Sequence, residues 1–475
     1  MKATSLAGSP GTLGPLPGRT RILVASSPGS ISRFIPTVFT ELVGFGAELV
    51  FAAEAGKDPV PAELRDSPQA TAAQLPIHRD GDAGESVKLL RRMIDLNRFY
   101  DPRLVDSSWA RHRTAVRALV SAGYPDARTA AEELASHSLP ANIHAALTRG
   151  LGAIERQLPP PPQLVAAVEE LGVDAILLVS RCSLGGSERD VLKVAQALDL
   201  PTTMLVWSWD NLSSKALLTE HPDRMLVWNE RQVEEAVELH GFRREHVQAL
   251  GAPNFDRFFV ELEEQRTHPR PSRDRKTILY LGSSKNVCKQ EPDVFLRWVA
   301  AVRASEDPVV RDARVVVRPY PGGGGWRRWR PDATDEFEVE PARKLEPGRL
   351  AGLLLDADVV VALNTSAELE AALAGRPVVT FRAGELAPGQ EGSIHFEYLL
   401  EQHGGFVIDS RDLDEHVGNL ARVLTGEVDT ASLTGFAKRF VRPEGLERPV
   451  SPLVAAAVLE HSRRAAPERP RLVAR

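Results

Sequence analysis

The chain has 475 residues, 43% of them hydrophobic, which is enough for a full core and too long for a single domain of about 100–200 residues. Its formal charge of -6 arises from 58 basic and 64 acidic residues mixed along the sequence, which argues against a polyanion-binding face and against nucleic acid as the partner. Cys182 and Cys288 are the only cysteines, too few and too far apart for a disulfide framework or a cysteine metal site, and they fit a reduced, cytoplasmic compartment.

Residues 1–19 mix Gly, Pro, Ser and Thr without an apolar run of signal-peptide length and read as a loose leader. Arg21 to Ser26, the mixed segment Phe34 to Phe45, and Glu48 to Ala52 predict a strand, a helix and a strand. An Arg-, Ala- and Leu-rich stretch, about 85–157, predicts a helical insertion, closed by the stiff Pro159 to Pro162 run. The alternation resumes with strand Ala175 to Ser180, helix Glu188 to Leu198, and strands Thr202 to Trp207, Met225 to Trp228 and Val247 to Leu250. After the breaker-rich segment 265–275 a second series follows. It comprises strand Thr277 to Leu281, helix Asp293 to Ala304, strands Arg314 to Arg318 and Val359 to Leu363, helix Ala367 to Ala374, strand Val378 to Phe381 and a last helix, Pro452 to Arg464. Such alternation predicts parallel sheets covered by helices, hence an α/β protein of two Rossmann-like domains, 20–270 and 271–440, with a C-terminal helix and tail, 441–475. Ligands of such sheets sit beyond the carboxyl ends of the strands, so two sheets face to face share one cleft. The longest apolar runs, such as Val359 to Leu363, fall far short of the roughly 20 residues of a membrane span, leaving only peripheral membrane contact open. The oligomeric state is not legible.

The most informative segment is Leu363-Asn364-Thr365-Ser366, where a buried strand ends in three small polar residues that open a helix, which closes at Gly375-Arg376-Pro377. Free backbone N–H groups at such a helix start suit a phosphate, and Glu370, one turn on, reaches a ribose diol beside it; an N-cap with an exposed Glu is the alternative. Asp356 and Asp358 read as caps of the strand they precede, and no carboxylate pair has metal spacing, so no metal is expected. Gly322 to Gly325 with Trp326 and Trp329 read as a surface loop or as a stacking platform.

The Asn364 to Val379 segment resembles the donor-binding signature of GT-B glycosyltransferases and the related UDP-N-acetylglucosamine 2-epimerases. The resemblance covers about Thr20 to Pro452 and is strongest around Glu370. It implies two domains facing across a cleft, no cofactor, and a nucleotide-sugar donor and hydroxyl acceptor as substrates. Glu370 matches the ribose-binding Glu, and Asn364, Thr365 and Ser366 match the phosphate-contacting turn, here without its glycine. Gly282-Ser283-Ser284-Lys285 resembles the first loop of the donor domain, with Lys285 toward the pyrophosphate, or is an ordinary polar turn. Arg318-Pro319-Tyr320-Pro321 is similar to the basic His-Pro element of CDP-glycerol glycerophosphotransferases and capsule-type transferases, with Tyr320 in the histidine's place and Arg318 free to clamp a phosphate. Ser208-Trp209-Asp210-Asn211 is similar to a Trp-Asp-Asn segment of surface-polysaccharide transferases. Asp210 is then the candidate catalytic base and Asn211 an acceptor-side residue, or Asp210 heads an Asx turn. Ser30 and Arg33, after the first strand, fall on the acceptor side; His395 falls where donors are contacted, or packs as a structural histidine; and Gly251 to Asp256 forms the hinge. The activity implied is sugar transfer in surface-polysaccharide or glycoconjugate synthesis. A glycerophosphotransferase, a sugar-nucleotide epimerase and a non-catalytic nucleotide-sugar binder are the alternatives.

Overall fold

The computed structural model describes residues 19–26, 36–53, 58–104, 106–268, 274–321, 324–330, 336–341, 348–387, 389–390, 393–428 and 431–464. The first sheet contains β1 (Arg21–Ser26), β2 (Glu48–Ala53), β3 (Ala70–Gln74), β4 (Ala175–Ser180), β5 (Thr202–Val206), β6 (Arg224–Val227) and β7 (Val247–Ala249), in the order β3-β2-β1-β4-β5-β6-β7. The second contains β8 (Thr277–Leu281), β9 (Arg314–Arg318), β10 (Glu338–Val339), β11 (Val359–Ala362), β12 (Val378–Val379) and β13 (Val407–Ile408), in the order β10-β9-β8-β11-β12-β13. Numbered from its own first strand, the second sheet runs 3-2-1-4-5-6, the doubly wound order, and the first runs the same with a seventh strand added at the end; they reverse between β8 and β11 and between β1 and β4. These are the two Rossmann-like α/β domains expected from the sequence.

The strands read as unbroken apolar runs because helices cover both faces. Leu23 and Ala25 of β1 join one core cluster and Ile22 and Val24 the other, while Leu279 and Leu281 of β8 part from Ile278 and Tyr280 in the same way. One device recurs in both sheets. Asp174 before β4 accepts the Arg21 amide at 2.7 Å, and Asp358 before β11 accepts the Thr277 amide at 2.8 Å, so each fourth strand pins the start of its first. Asp358 thus caps β8 and not β11, the strand that it precedes and was expected to cap, while Asp356 ends helix Arg349–Asp356. The expected insertion is four helices: Gly81–Arg98, Ser108–Ser121, Ala127–Ser136 and Ala141–Gln157. Strands β3, β10 and β13 are not in the sequence-based reading. The first is an edge strand with mostly exposed residues, and the other two have only two residues each, too short for any period to show.

The chain crosses between domains at two places that lie against each other. Helix Asp256–Arg266 packs on helix Arg349–Asp356 of the second domain, while helix Ser451–Arg464 returns to the first, where Val454 and Val458 join the Ile22 cluster. The Asp256 carboxylate clasps the crossings by accepting from Arg442 at 2.6 Å and from the Ser451 amide at 2.7 Å. Gly251 sits at φ 112°, where a Cβ would lie 2.7 Å from Val450 Cγ2 and 2.8 Å from the Val441 carbonyl, so only glycine fits at this crossing. Among the described residues no helix is long and apolar enough to cross a membrane.

Candidate active site

Both sheets aim their carboxyl ends at one cavity of about 280 Å³. The first domain contributes Trp207 to Asn211 after β5 and Arg181 after β4. The second contributes Ser284 after β8, Tyr320 after β9, and Asn364, Thr365 and Ser366 after β11. Seven of the residues singled out from the sequence thus meet there: Asp210, Asn211, Ser284, Asn364, Thr365, Ser366 and His395. The Trp209 indole donates to Ser366 Oγ at 3.3 Å, so the two walls touch across the cavity.

Asp210 forms an ion pair with Lys215 at 2.8 Å, in which the side chains are 22% and 28% exposed, and it accepts from Asn211 Nδ2 at 3.1 Å. Burial pushes its carboxyl up, but Lys215 and His395 outweigh that and hold it well below the usual carboxylate range. The Asx-turn alternative does not hold for Asp210. It is Asn211 that folds back, its Oδ1 accepting the Ser208 amide at 2.9 Å. His395, 8% exposed, stacks edge-on against Trp209 at 4.9 Å and has no hydrogen-bond partner at Nδ1. Burial drives its pKa down to about 4, with Asp210 opposing the shift and Lys215 and Arg113 adding to it.

Sequence reasoning missed the cations of the first domain. Arg113, from helix Ser108–Ser121 of the insertion, lies over the Trp109 ring at 4.4 Å and donates to the Ser214 carbonyl; Arg181 lies over Trp207 at 4.9 Å. Neither has a carboxylate partner among the described residues, and burial lowers the Arg113 pKa to about 10. With Lys215 spent on Asp210, the cavity keeps two uncompensated positive charges. Arg181, directly after a strand, was open to discovery by position; Arg113 was not, because the way the insertion docks decides its place.

The strand-to-helix loops correct one expectation. Three buried glutamates at helix starts turn back onto loop amides: Glu188 accepts from Arg181 and Ser183, Glu291 from Ser283, and Glu368 from Asn364 at 3.0 Å. The Asn364 amide is therefore not free for a phosphate. The Ser366 and Ala367 amides and the Ser366 hydroxyl are what the turn offers. Ser283 is fully buried, its hydroxyl given to Glu291 at 2.9 Å, and Lys285 is exposed outside the cavity lining, so neither reaches the cavity. Trp326 is neither on a loose surface loop nor on a stacking platform: it is 4% exposed, packs edge-on with Trp329 and donates to Glu291 at 2.8 Å. Ser30 and Arg33 lie outside the described residues.

Arg318 and Glu370 are not in the cavity lining, and they act on each other electrostatically. Burial pushes Glu370 up to about 7, Arg318 counters that and Glu261 adds to it. Neither side chain has a hydrogen bond or ion pair among the described residues, and Arg318 Nε is buried without a partner. Tyr320 lines the cavity. Among the described residues no three His, Cys, Asp or Glu side chains gather as a metal-binding group.

Burial pushes Glu368 up to about 8 and Glu291 to about 7, so both hold protons that the unfolded chain, with a pKa near 4.5, releases earlier. A raised folded pKa gives stability that is complete below about 4.5 and lost as pH rises through 7 to 8. Glu368→Gln keeps an acceptor for Asn364 and removes the titration. Its stability relative to wild type is expected to rise by roughly 1 kcal/mol or more from pH 5.5 to 8.5, read from urea midpoints. Parallel pH curves for the two proteins would contradict the assignment.

No protein-family model matches the sequence, and no curated protein matches it. Solved structures similar to it include UDP-GlcNAc 2-epimerase from Methanocaldococcus jannaschii, 9% identical over 94% of this chain and 100% of the other, with a TM-score of 0.48. MurG of Acinetobacter baumannii is 11% identical over 93% of this chain and 99% of its own, at 0.47. Arabidopsis thaliana UGT89C1, solved with UDP, is 12% identical over 94% and 100%, at 0.49. These are likenesses of overall architecture.

Proposed function

We propose that the chain transfers a sugar from a nucleoside-diphosphate donor to an acceptor hydroxyl, in surface-polysaccharide or glycoconjugate synthesis. The observation that carries this reading is the cavity where the strand ends of both sheets meet, with two uncompensated guanidinium groups facing the Ser366 helix start. A dianionic diphosphate supplies the missing charge. Glu370 binds the ribose diol and Arg318 the adjoining phosphate or base, which gives the buried, unpartnered Arg318 Nε an acceptor.

The proton of the acceptor hydroxyl passes to His395. Asp210, the carboxylate expected from the sequence to be the base, is tied to Lys215 and is the weaker proton acceptor of the two. Asp210 instead supplies the negative charge that favours the imidazolium formed. The acceptor oxygen attacks the anomeric carbon, the bond to the diphosphate breaks, and Arg113, Arg181 and the Ser366 hydroxyl hold the departing charge. No metal or other cofactor enters this scheme.

The test is incubation with a panel of nucleotide sugars, followed by detection of free nucleoside diphosphate and by thermal stabilisation with the nucleotides alone. Diphosphate release and a stabilisation that Glu370→Ala abolishes are expected. Isomerised donor without release would turn the reading to an epimerase, and cytidylate released from CDP-glycerol to a glycerophosphotransferase. If no nucleotide is bound or consumed, the reading falls.

A further inference from the structure

A second crevice, of about 370 Å³, lies away from the cleft, between the insertion helices Gly81–Arg98 and Ala141–Gln157 on one side and residues 217–221 and helix Glu230–His240 on the other. Its size is that of a small-molecule site. Leu151, Leu218 and Ile94 give it an apolar floor. Two side chains of its wall are more than nine-tenths buried and incompletely satisfied: Asn97, with no partner at Oδ1, and Arg98, with none at Nε. Buried polar atoms of this kind are uncommon without a ligand or water to meet them. The charge of the wall is also unbalanced. Asp101 is held by Arg103 at 2.6 Å, neither Arg98 nor Arg156 has an ion pair among the described residues, and Glu238 is the other acid of the lining; Glu235, Asp95 and Asp101 act on Arg98 only electrostatically.

We propose that this crevice binds a small amphipathic anion with an apolar body, one anionic group for the guanidinium side, and one hydrogen-bond donor for Asn97. The site is linked to the cleft through Arg98. Arg98 donates to the carbonyls of Lys215 at 2.7 Å and Ala216 at 3.1 Å and to that of Leu212, and Lys215 carries the ion pair with Asp210. An occupant on the Arg98 side therefore stiffens the loop that forms the cleft.

Anilinonaphthalene sulfonate has the required apolar body, anionic group and N–H, and serves as the probe on the intact chain. Saturable one-site binding is expected, with slower amide exchange over 212–218 in the bound state. Leu151→Trp fills the floor and Arg156→Glu reverses an exposed charge, and each is expected to weaken binding about tenfold at unchanged Tm. His395→Ala, in the other cavity, leaves the affinity as it was. Absence of saturable binding, wild-type affinity in Arg156→Glu, or unchanged exchange over 212–218 would overturn the proposal; if Leu151→Trp does not fold, the other two readouts still decide.

Discussion

With His395 replaced by alanine, kcat for sugar transfer is expected to fall about 10²- to 10⁴-fold, the usual worth of a positioned proton acceptor, while nucleotide stabilisation changes little. The split follows from where the residue sits. His395 is buried at the junction of the two walls, edge-on to Trp209, and carries none of the charge that holds a diphosphate. At neutral pH its imidazole is uncharged, since burial holds the pKa near 4, so it is ready to take a proton. The sign of the pH dependence is fixed by the same shift: the base is lost as pH falls through its folded pKa, so the acid limb of kcat/KM lies near pH 4 in the free enzyme. Asp210→Asn provides the contrast. It keeps the shape, frees Lys215 and removes the charge that favours the imidazolium, so it lowers kcat while strengthening anion binding. Full turnover in His395→Ala, with Asp210→Asn inactive, would return the proton-accepting role to Asp210.

The fold was readable because most of the buried strands are apolar runs of four to six residues set between helix-length segments, and the sequence periodicity found most of the strands and placed the Ser366 turn at a sheet end. Side-chain partners were not readable, because tertiary packing assigns them. Lys215 lies in the same segment as Asp210, yet nothing in the spacing shows that it pairs with Asp210. Arg113 reaches the cavity from helix Ser108–Ser121, far before that segment in the chain, a separation that no local pattern carries. Glu188, Glu291 and Glu368 had a visible signal: an acid in the first turn after a strand-end loop. Read as simple dipole partners, such acids seem to leave the loop amides free. The structure turns them back onto those amides, which is why the Asn364 turn offers less to a phosphate than its sequence suggests.

Asp190→Ala is expected to cost about 3–5 kcal/mol and to loosen the insertion from the first domain, because it strands buried charge. Arg91 of helix Gly81–Arg98 is held between Asp190 at 2.7 Å and Glu155 of helix Ala141–Gln157 at 2.9 Å, with all three side chains at most 3% exposed; Arg79 adds a contact to Asp190 at 2.8 Å. Burial alone would lower the Arg91 pKa, but Asp190 and Glu155 overcome it and keep the guanidinium charged. Beside them Asp95 pairs with Arg189 at 2.8 Å and Lys193 with Glu220 at 3.0 Å, so the seam is a row of buried ion pairs where an apolar contact would serve. Such pairs repay little of their desolvation, and replacing Arg91, Asp190 and Glu155 together by Met, Leu and Leu is expected to be neutral or stabilising. Thermal unfolding and limited proteolysis within 85–157 separate the two cases. The single variant should melt lower and be cut in the insertion, while the triple variant should resist both. The consequence reaches the cleft, since Arg98 and Arg113 of the insertion hold the carbonyls of residues 212–216 beside Asp210. Asp190→Ala should therefore lower transfer activity without any contact to the substrates, and the triple variant should restore it. If the triple variant regains stability but not activity, the ion pairs set the position of the insertion and not merely its attachment.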